Sequence, residues 1–386
     1  MIRLQAPLPD RYRQATSEEL ANWIAAAREN LGDRVLILGH HYQQDEIMRW
    51  ADASGDSFGL SRIAAERSDA EFVIFCGVHF MAESADILTK SHQKVILPDL
   101  NAGCSMADMA DIDQVEQAWD ELGRIFDTDR LMPVTYMNSS AALKAFVGEH
   151  NGAVCTSSNA KAILTWAIGS KDPKMSPTTG SPLTTSIGEP RLADKVLFFP
   201  DQHLGRNTGY VLGYESPDMV VWDPRHSNGG LSVESIQEST LILWKGHCSV
   251  HQRFRPEHVE AFRERYPSGM VLVHPECSHE VVEVADKVGS TDFIINAVAQ
   301  APKAATIGIG TEIHLVNRLA SQYPDKQIVN LDPVICPCST MSRIDSQHLA
   351  WVLDGLVEGE IRNQISVDED TSKWARVALE RMLSIV

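Results

Sequence analysis

The feature that most constrains this 386-residue chain is a pattern that occurs three times. Its copies are GHHYQQDEIMRWADASGDSFGLS, TYMNSSAALKAFVGEHNGAVCTSSNA and VHPECSHEVVEVADKVGSTDFII. Each begins at the end of an apolar run and reads as a polar loop, an amphipathic helix and a short Ser/Thr-bearing turn, with GDS, CTSS and GST in one slot. A further run and loop follow in each unit (CGVHFMAE, PDQHLGR, GTEIHLV), and the units close on GCSMAD, HCSVHQ and PCSTMS. His40 and Cys104 lie 64 residues apart, as do His274 and Cys338, whereas Tyr136 and Cys248 lie 112 apart, so the middle unit carries about 48 extra residues. Self-similarity of this kind fixes architecture before any single motif does.

The runs RVLILGH (34–40), EFVIFCG (71–77), KVILPD (94–99), PVTYMN (133–138), KVLFFPD (195–201), LILWKG (241–246), MVLVHPE (270–276), ATIGIG (305–310) and QIVNLD (327–332) are short, apolar and rich in β-branched residues, as buried parallel strands are. Helical patterns such as DEIMRWADA, AALKAFVGE and EVVEVADKV lie between them. The alternation predicts an α/β fold of three pseudo-threefold related domains with small parallel sheets, whose ligand sites lie at the carboxyl ends of the strands. The expected units are 20–104, joined by C-terminal helices over 342–386; 105–248, with an insertion over about 168–232; and 249–341. Within the insertion, SKDPKMSPTTGSPLTTSIGEP (170–190) is rich in Pro, Ser, Thr and Gly, and YESPDMVVWDPRHSNGG (214–230) reads as a polar loop.

The net charge is −18 with no Lys/Arg block, which repels a phosphate backbone and sets nucleic acid aside as a partner. MIRLQAPLPDRYRQ at the N-terminus lacks the apolar core of a secretory signal, and no apolar run approaches the roughly 18 residues that span a bilayer. A soluble cytoplasmic protein, with no membrane partner, is expected. The seven cysteines are widely spaced, which suits metal or redox chemistry better than a secreted disulfide framework.

Cys104, Cys248 and Cys338 occupy the repeated C-S slot, whereas Cys336, in VICPCSTMSRID, falls two residues early. Three equivalent loops would deliver three thiolates to a common centre. Soft ligands of that number suit zinc, or an iron–sulfur cluster with one iron lacking a protein ligand, and the spacing leaves both open. His247, Cys248 and His251 also form a local H-C-S-V-H pattern that a zinc ion could use. Cys76 lies inside an apolar run and reads as packing, while Cys155 and Cys277 flank the proposed substrate loops and read as structural or redox-active.

Ser57, Ser157, Ser290 and Thr291 recur beside predicted helix starts, where unpaired backbone N–H groups favour phosphate or carboxylate oxygens; simple helix capping is the competing reading. At the first-strand ends lie His40, His41 and Tyr42, then Tyr136 and Asn138, then His274 and Glu276, a set able to carry protons and donate hydrogen bonds. Gly55-Asp56-Ser57-Phe58-Gly59 matches a hydrolase nucleophile elbow, but that motif needs a strand before the serine and MRWADAS reads as helix. Asn138-Ser139-Ser140 matches a glycosylation sequon, without consequence in the absence of secretion.

Nearly the whole chain resembles the quinolinate synthase family, through GHHYQ, GDSFGLS, GVHFMAE, LPDLNAGCSMAD, TYMNSSAALKA, VCTSSNA, PDQHLGRN, KGHCSVHQRF, VHPECS, VGST, GTEIHLV and CPCSTMSRID. The resemblance implies three stacked αβα domains around a [4Fe-4S] cluster at their common centre, with Cys104, Cys248 and Cys338 as its ligands. It implies a transferase and dehydrating cyclase of de novo NAD biosynthesis, which condenses iminoaspartate with dihydroxyacetone phosphate to quinolinate, phosphate and two waters. By the same matches Tyr42, Tyr136, His274 and Glu276 are catalytic, and His40, Ser57, Tyr136, Asn138, Ser157, His274, Glu276, Ser290 and Thr291 bind substrate. L-aspartate oxidase or aspartate dehydrogenase is the implied source of iminoaspartate. Departures are the long middle insertion and Cys336, which with Cys277 offers a regulatory disulfide. The alternatives are a non-catalytic iron–sulfur sensor or scaffold, and a zinc hydrolase built on His247, Cys248 and His251.

Overall fold

The computed structural model describes residues 5–171, 193–334 and 337–385. Each of the predicted apolar runs forms a strand, and the strands make three sheets. The first contains β1 (Val35–His40), β2 (Ala53–Gly55), β3 (Phe72–Cys76) and β4 (Lys94–Ile96). The second contains β5 (Leu131–Tyr136), β6 (Ala153–Cys155), β7 (Lys195–Phe199), β8 (Met219–Trp222) and β9 (Leu241–Trp244). The third contains β10 (Met270–Val273), β11 (Lys287–Val288), β12 (Thr306–Gly310) and β13 (Gln327–Asn330). A last short strand, β14 (Gln364–Ile365), adds antiparallel to β4.

Strand order within the sheets is β14-β4-β3-β1-β2, β6-β5-β7-β9-β8 and β11-β10-β12-β13. Set aside the edge strands β14 and β8, and one order recurs: a short second strand, the first, the third and the fourth, all parallel. Strands β1, β3, β5, β7 and β9 are buried at every position, which explains why they read as unbroken apolar runs rather than alternating ones.

The chain divides into two compact units, each described by itself. One comprises Met1–Cys104, Glu312–Pro324 and Val334–Asp368 and holds the first sheet; the other comprises Ser105–Thr311, Asp325–Pro333 and Glu369–Val386 and holds the second and third. In the first unit, the helix Ser17–Leu31 starts on a capping box between Thr16 and Glu19 and packs against Ser346–Glu358. In the second, the C-terminal helix Glu369–Ile385 packs against Ala141–Glu149, so the two C-terminal helices go to different units rather than both joining the first sheet. The helices Ala141–Glu149 and Glu369–Ile385 approach closely there: a β-carbon on Gly148 would stand 2.0 Å from the carbonyl oxygen of Trp374.

Two local expectations need correction. The stretch 214–230 is not all loop, because MVVW supplies β8, which pairs with β9. In MRWADAS the helix ends at Met48 and β2 begins at Ala53, so a strand does precede Ser57. Residues 172–190 of the Pro/Ser/Thr/Gly-rich stretch, and Cys336 with its proposed disulfide to Cys277, lie outside the described residues.

Candidate active site

In the first unit, β1 ends on His40, which is buried. Its Nδ1 accepts the backbone N–H of Tyr42 at 3.1 Å, and the two rings meet edge to face with centroids 4.9 Å apart. With Nδ1 accepting, the neutral ring carries its proton on Nε2 and presents a donor. Arg318 fastens this loop by donating to the carbonyls of His41 and Gln43 and to Asp45. Gln43 and Gln44 in turn donate to the carbonyls of Met341 and Ser342, just beyond Cys338.

Cys104 and Cys338 both belong to this unit and both are half-buried. Five residues before Cys104, the buried carboxylate of Asp99 receives Nε of Arg343 at 2.8 Å, and Arg343 lies five residues beyond Cys338. One ion pair therefore ties the two cysteine loops together. The Cys338 backbone N–H donates to the buried carboxylate of Glu312 at 3.2 Å, which also holds His314 and raises its pKa. Ser57 occupies the first helical position of Ser57–Glu66, but the cap is Asp56, whose side chain accepts from Gly59. A strand does lead into Ser57, yet among the described residues no hydrogen bond joins its hydroxyl to a histidine, so the nucleophile elbow lacks its base.

In the second unit the ends of β5 and β10 supply one buried assembly. Glu276 Oε2 lies 2.7 Å from Nδ1 of His251, and the Tyr136 hydroxyl adds a hydrogen bond to the same side chain. His251 Nε2 meets the Thr311 hydroxyl at 3.1 Å, and its ring stacks on His274 with centroids 4.5 Å apart. His274 repeats the His40 geometry: its Nδ1 faces the backbone N–H of the residue two further on, Glu276, at 3.4 Å. Asn207, on the helix Gln202–Val211, pins the loop by donating to the carbonyls of Pro275 and Cys277. Burial alone would raise the pKa of Glu276, but the contact with His251 and the hydrogen bonds from His251 and Tyr136 pull it down and hold the carboxylate ionised. Burial lowers the pKa of His274 to about 3, so its ring is neutral at physiological pH.

Cys248 stands in the loop after β9, half-buried, and its sulfur, a nitrogen of His251 and an oxygen of Glu276 all lie within 4.8 Å of one another. That donor set could hold a metal ion. It differs from the zinc pattern expected from sequence, because Glu276 takes the place of His247. The chemistry of the thiols separates the cysteines in the same way as the repeat. Cys104, Cys248 and Cys338 are half-buried, whereas Cys76, Cys155 and Cys277 are buried, and burial pushes their thiols up, that of Cys76 to about 12. Thiols held protonated in the core are poor ligands, which leaves the C-S cysteines as the described thiols suited to bind metal.

The remaining predicted residues are all placed at strand or helix ends in this unit. Ser290 caps the helix Thr291–Gln300 by accepting from Phe293, and both Ser290 and Thr291 are buried. Asn138 and Ser157 are half-buried in the loops after β5 and β6. Sequence reasoning did not find His251 as the partner of Glu276, nor Thr311, Asn207 and Glu312. The signal lay in HCSVH, GTE and PDQHLGRN, whose polar residues take on meaning only once distant strands are brought together.

Comparison with known proteins identifies the family. The family model described as Quinolinate synthetase A protein matches residues 22–176 and 179–384. Quinolinate synthase of Corynebacterium glutamicum is 52% identical over 382 residues, covering 99% of this chain and 91% of its own. That of Acidobacterium capsulatum is 52% identical over 379 residues (97% and 95%), and that of Anoxybacillus flavithermus 49% over 378 (98% and 96%). All three are enzymes, which speaks against a non-catalytic sensor or scaffold. Matched from end to end, the chain belongs to the quinolinate synthase family.

Proposed function

We propose that the chain condenses iminoaspartate with dihydroxyacetone phosphate to quinolinate, phosphate and two waters, and that Cys104, Cys248 and Cys338 hold a [4Fe-4S] cluster. The observation that carries this reading is an ionised, buried carboxylate, Glu276, held by His251 and Tyr136 within metal-ligand reach of Cys248. When bound, a cluster with one iron lacking a protein ligand supplies a Lewis acid for a departing hydroxyl.

The chain's own residues supply binding and proton transfer. His40 and His274, neutral and protonated on Nε2, donate to carboxylate or phosphate oxygens. Ser57, Ser157, Ser290 and Thr291, beside helix N-termini, take the remaining anionic groups, with Asn138 as a further donor. Glu276 accepts a proton from the condensing carbon skeleton, and Tyr136 and Tyr42 return protons to leaving oxygens. His251, through Thr311, fixes the orientation of Glu276. In the same reading the three sheets are the cores of three pseudo-threefold related domains, each delivering one cysteine, with L-aspartate oxidase or aspartate dehydrogenase supplying iminoaspartate in the cytoplasm.

Purification without oxygen tests it. The expected result is a brown protein with about four irons per chain, which forms quinolinate from the two precursors and loses its iron on Cys338→Ser. A colourless zinc protein with no quinolinate formed would favour instead a single cation on Cys248, His251 and Glu276.

A further inference from the structure

Lys144 takes no part in the chemistry proposed above, yet it is wholly buried in the second unit. It is the fourth residue of the helix Ala141–Glu149, whose cap is Ser140. From there its Nζ reaches back past the cap and donates to the carbonyl of Ser139. Ser139, equally buried, donates through its hydroxyl to the carbonyl of Tyr136 at 2.8 Å, and through its backbone N–H to the carbonyl of Met137 at 2.9 Å. The N–H of Met137 in turn donates to the carbonyl of Cys155, at the end of β6, at 2.7 Å. The loop that leads from Tyr136 through Asn138 to the helix is therefore tied from inside the protein, by two successive hydrogen bonds that start at Lys144.

Lysine is a costly choice for that place. Taken out of water it costs stability whether it keeps its charge or gives up its proton, and near the amino end of a helix the dipole opposes a positive charge. An apolar side chain of the same length would fill the space without either cost, and such replacements of buried charged groups are often neutral or stabilising. Natural chains keep local costs of this kind mainly at functional positions. What Lys144 holds is the end of β5, where the Tyr136 hydroxyl hydrogen-bonds Glu276 and Asn138 follows two residues on. We propose that Lys144 is a positioning residue for the reaction, which fixes this loop so that Tyr136 and Asn138 meet the substrate from a rigid backbone. The inference rests on reading Tyr136 and Asn138 as site residues, but amide exchange reads the loop without turnover, so the two succeed or fail separately.

Lys144→Met keeps the length of the side chain and removes the donor. In protein purified without oxygen, this variant is expected to melt no more than about 2 °C below wild type and to keep the wild-type metal content. Amide exchange in peptides covering 134–140 should nevertheless speed up about tenfold or more, and kcat for quinolinate should fall about ten- to a hundredfold. Ser139→Ala removes the next bond of the same chain and serves should Met at 144 disturb the packing; it should loosen 134–140 in the same way. The double variant should lose little more than either single one, because the two bonds act in series. Unchanged exchange at 134–140 in both variants, a loosening no greater there than in the rest of the sheet, or a loosened loop with kcat intact would overturn the proposal and leave Lys144 a core filler. Wild type that makes no quinolinate would strike only the functional reading, and the exchange result would still decide this one.

Discussion

His251 Nδ1 and Glu276 Oε2 approach to 2.7 Å with both side chains shut off from solvent, and Thr311 on the far nitrogen fixes the imidazole. A carboxylate oriented in this way is a proton acceptor of defined direction. Glu276→Gln is expected to lower quinolinate formation by about 10²–10⁴-fold, the usual weight of one general base. His251→Ala should also lower kcat while leaving KM nearly unchanged, because the lost contact is to Glu276 and not to substrate. Steady-state kinetics on cluster-loaded enzyme reads both.

Acid should unfold the second unit early. The pKa of His274 is depressed in the folded state, so the unfolded chain takes up a proton first as pH falls below about 6.5. Stability present above that value is therefore lost progressively down towards pH 3, and the lowered pKa of Glu276 acts in the same sense. His274→Gln should flatten the upper part of a plot of melting temperature against pH. An unchanged slope would mean that other groups carry the acid transition.

Gly246, two residues before Cys248, permits a backbone contact that no other residue allows. A β-carbon there would stand 2.1 Å from the carbonyl oxygen of Pro200, and the Gln202 N–H already donates to the Gly246 carbonyl at 3.0 Å. Because the obstacle is backbone, it cannot rotate away. Gly246→Ala should cost about 1–3 kcal/mol in urea unfolding and lower the iron content, whereas Gly32→Ala, at a positive φ but with open space around it, should leave the iron content as it was.

Thiol reactivity should sort the described cysteines by burial. Brief labelling of folded, metal-free protein is expected to modify Cys104, Cys248 and Cys338 and to spare Cys76, Cys155 and Cys277, whose thiols are buried and held protonated. Peptide mapping decides it, and early modification of Cys277 would contradict the packing described here.

Most of the sheet framework was legible because buried parallel strands read as unbroken apolar runs such as VLILGH and LMPVTY. What escaped was short or disguised. β2, β6 and β11 have two or three residues, too few for any periodicity, although they carry the Ser/Thr turns that the repeat did single out. β8 hides between Pro, Asp and Asn residues that look like loop. For the site, Glu276 and Tyr136 could be named from their strand-end positions, but their hydrogen bond could not, since it joins residues from two different sheets. His251 drew notice as a metal ligand for its spacing from His247, and its bond to Glu276 is a product of folding alone.

The recurrence of one strand order gives the molecule internal controls. His40 and His274 stand at matching places and accept the same i+2 amide, while the middle copy has Tyr136 there instead. Exchanging these side chains between copies would ask what each position contributes against a common scaffold, a comparison that elsewhere takes three separate genes.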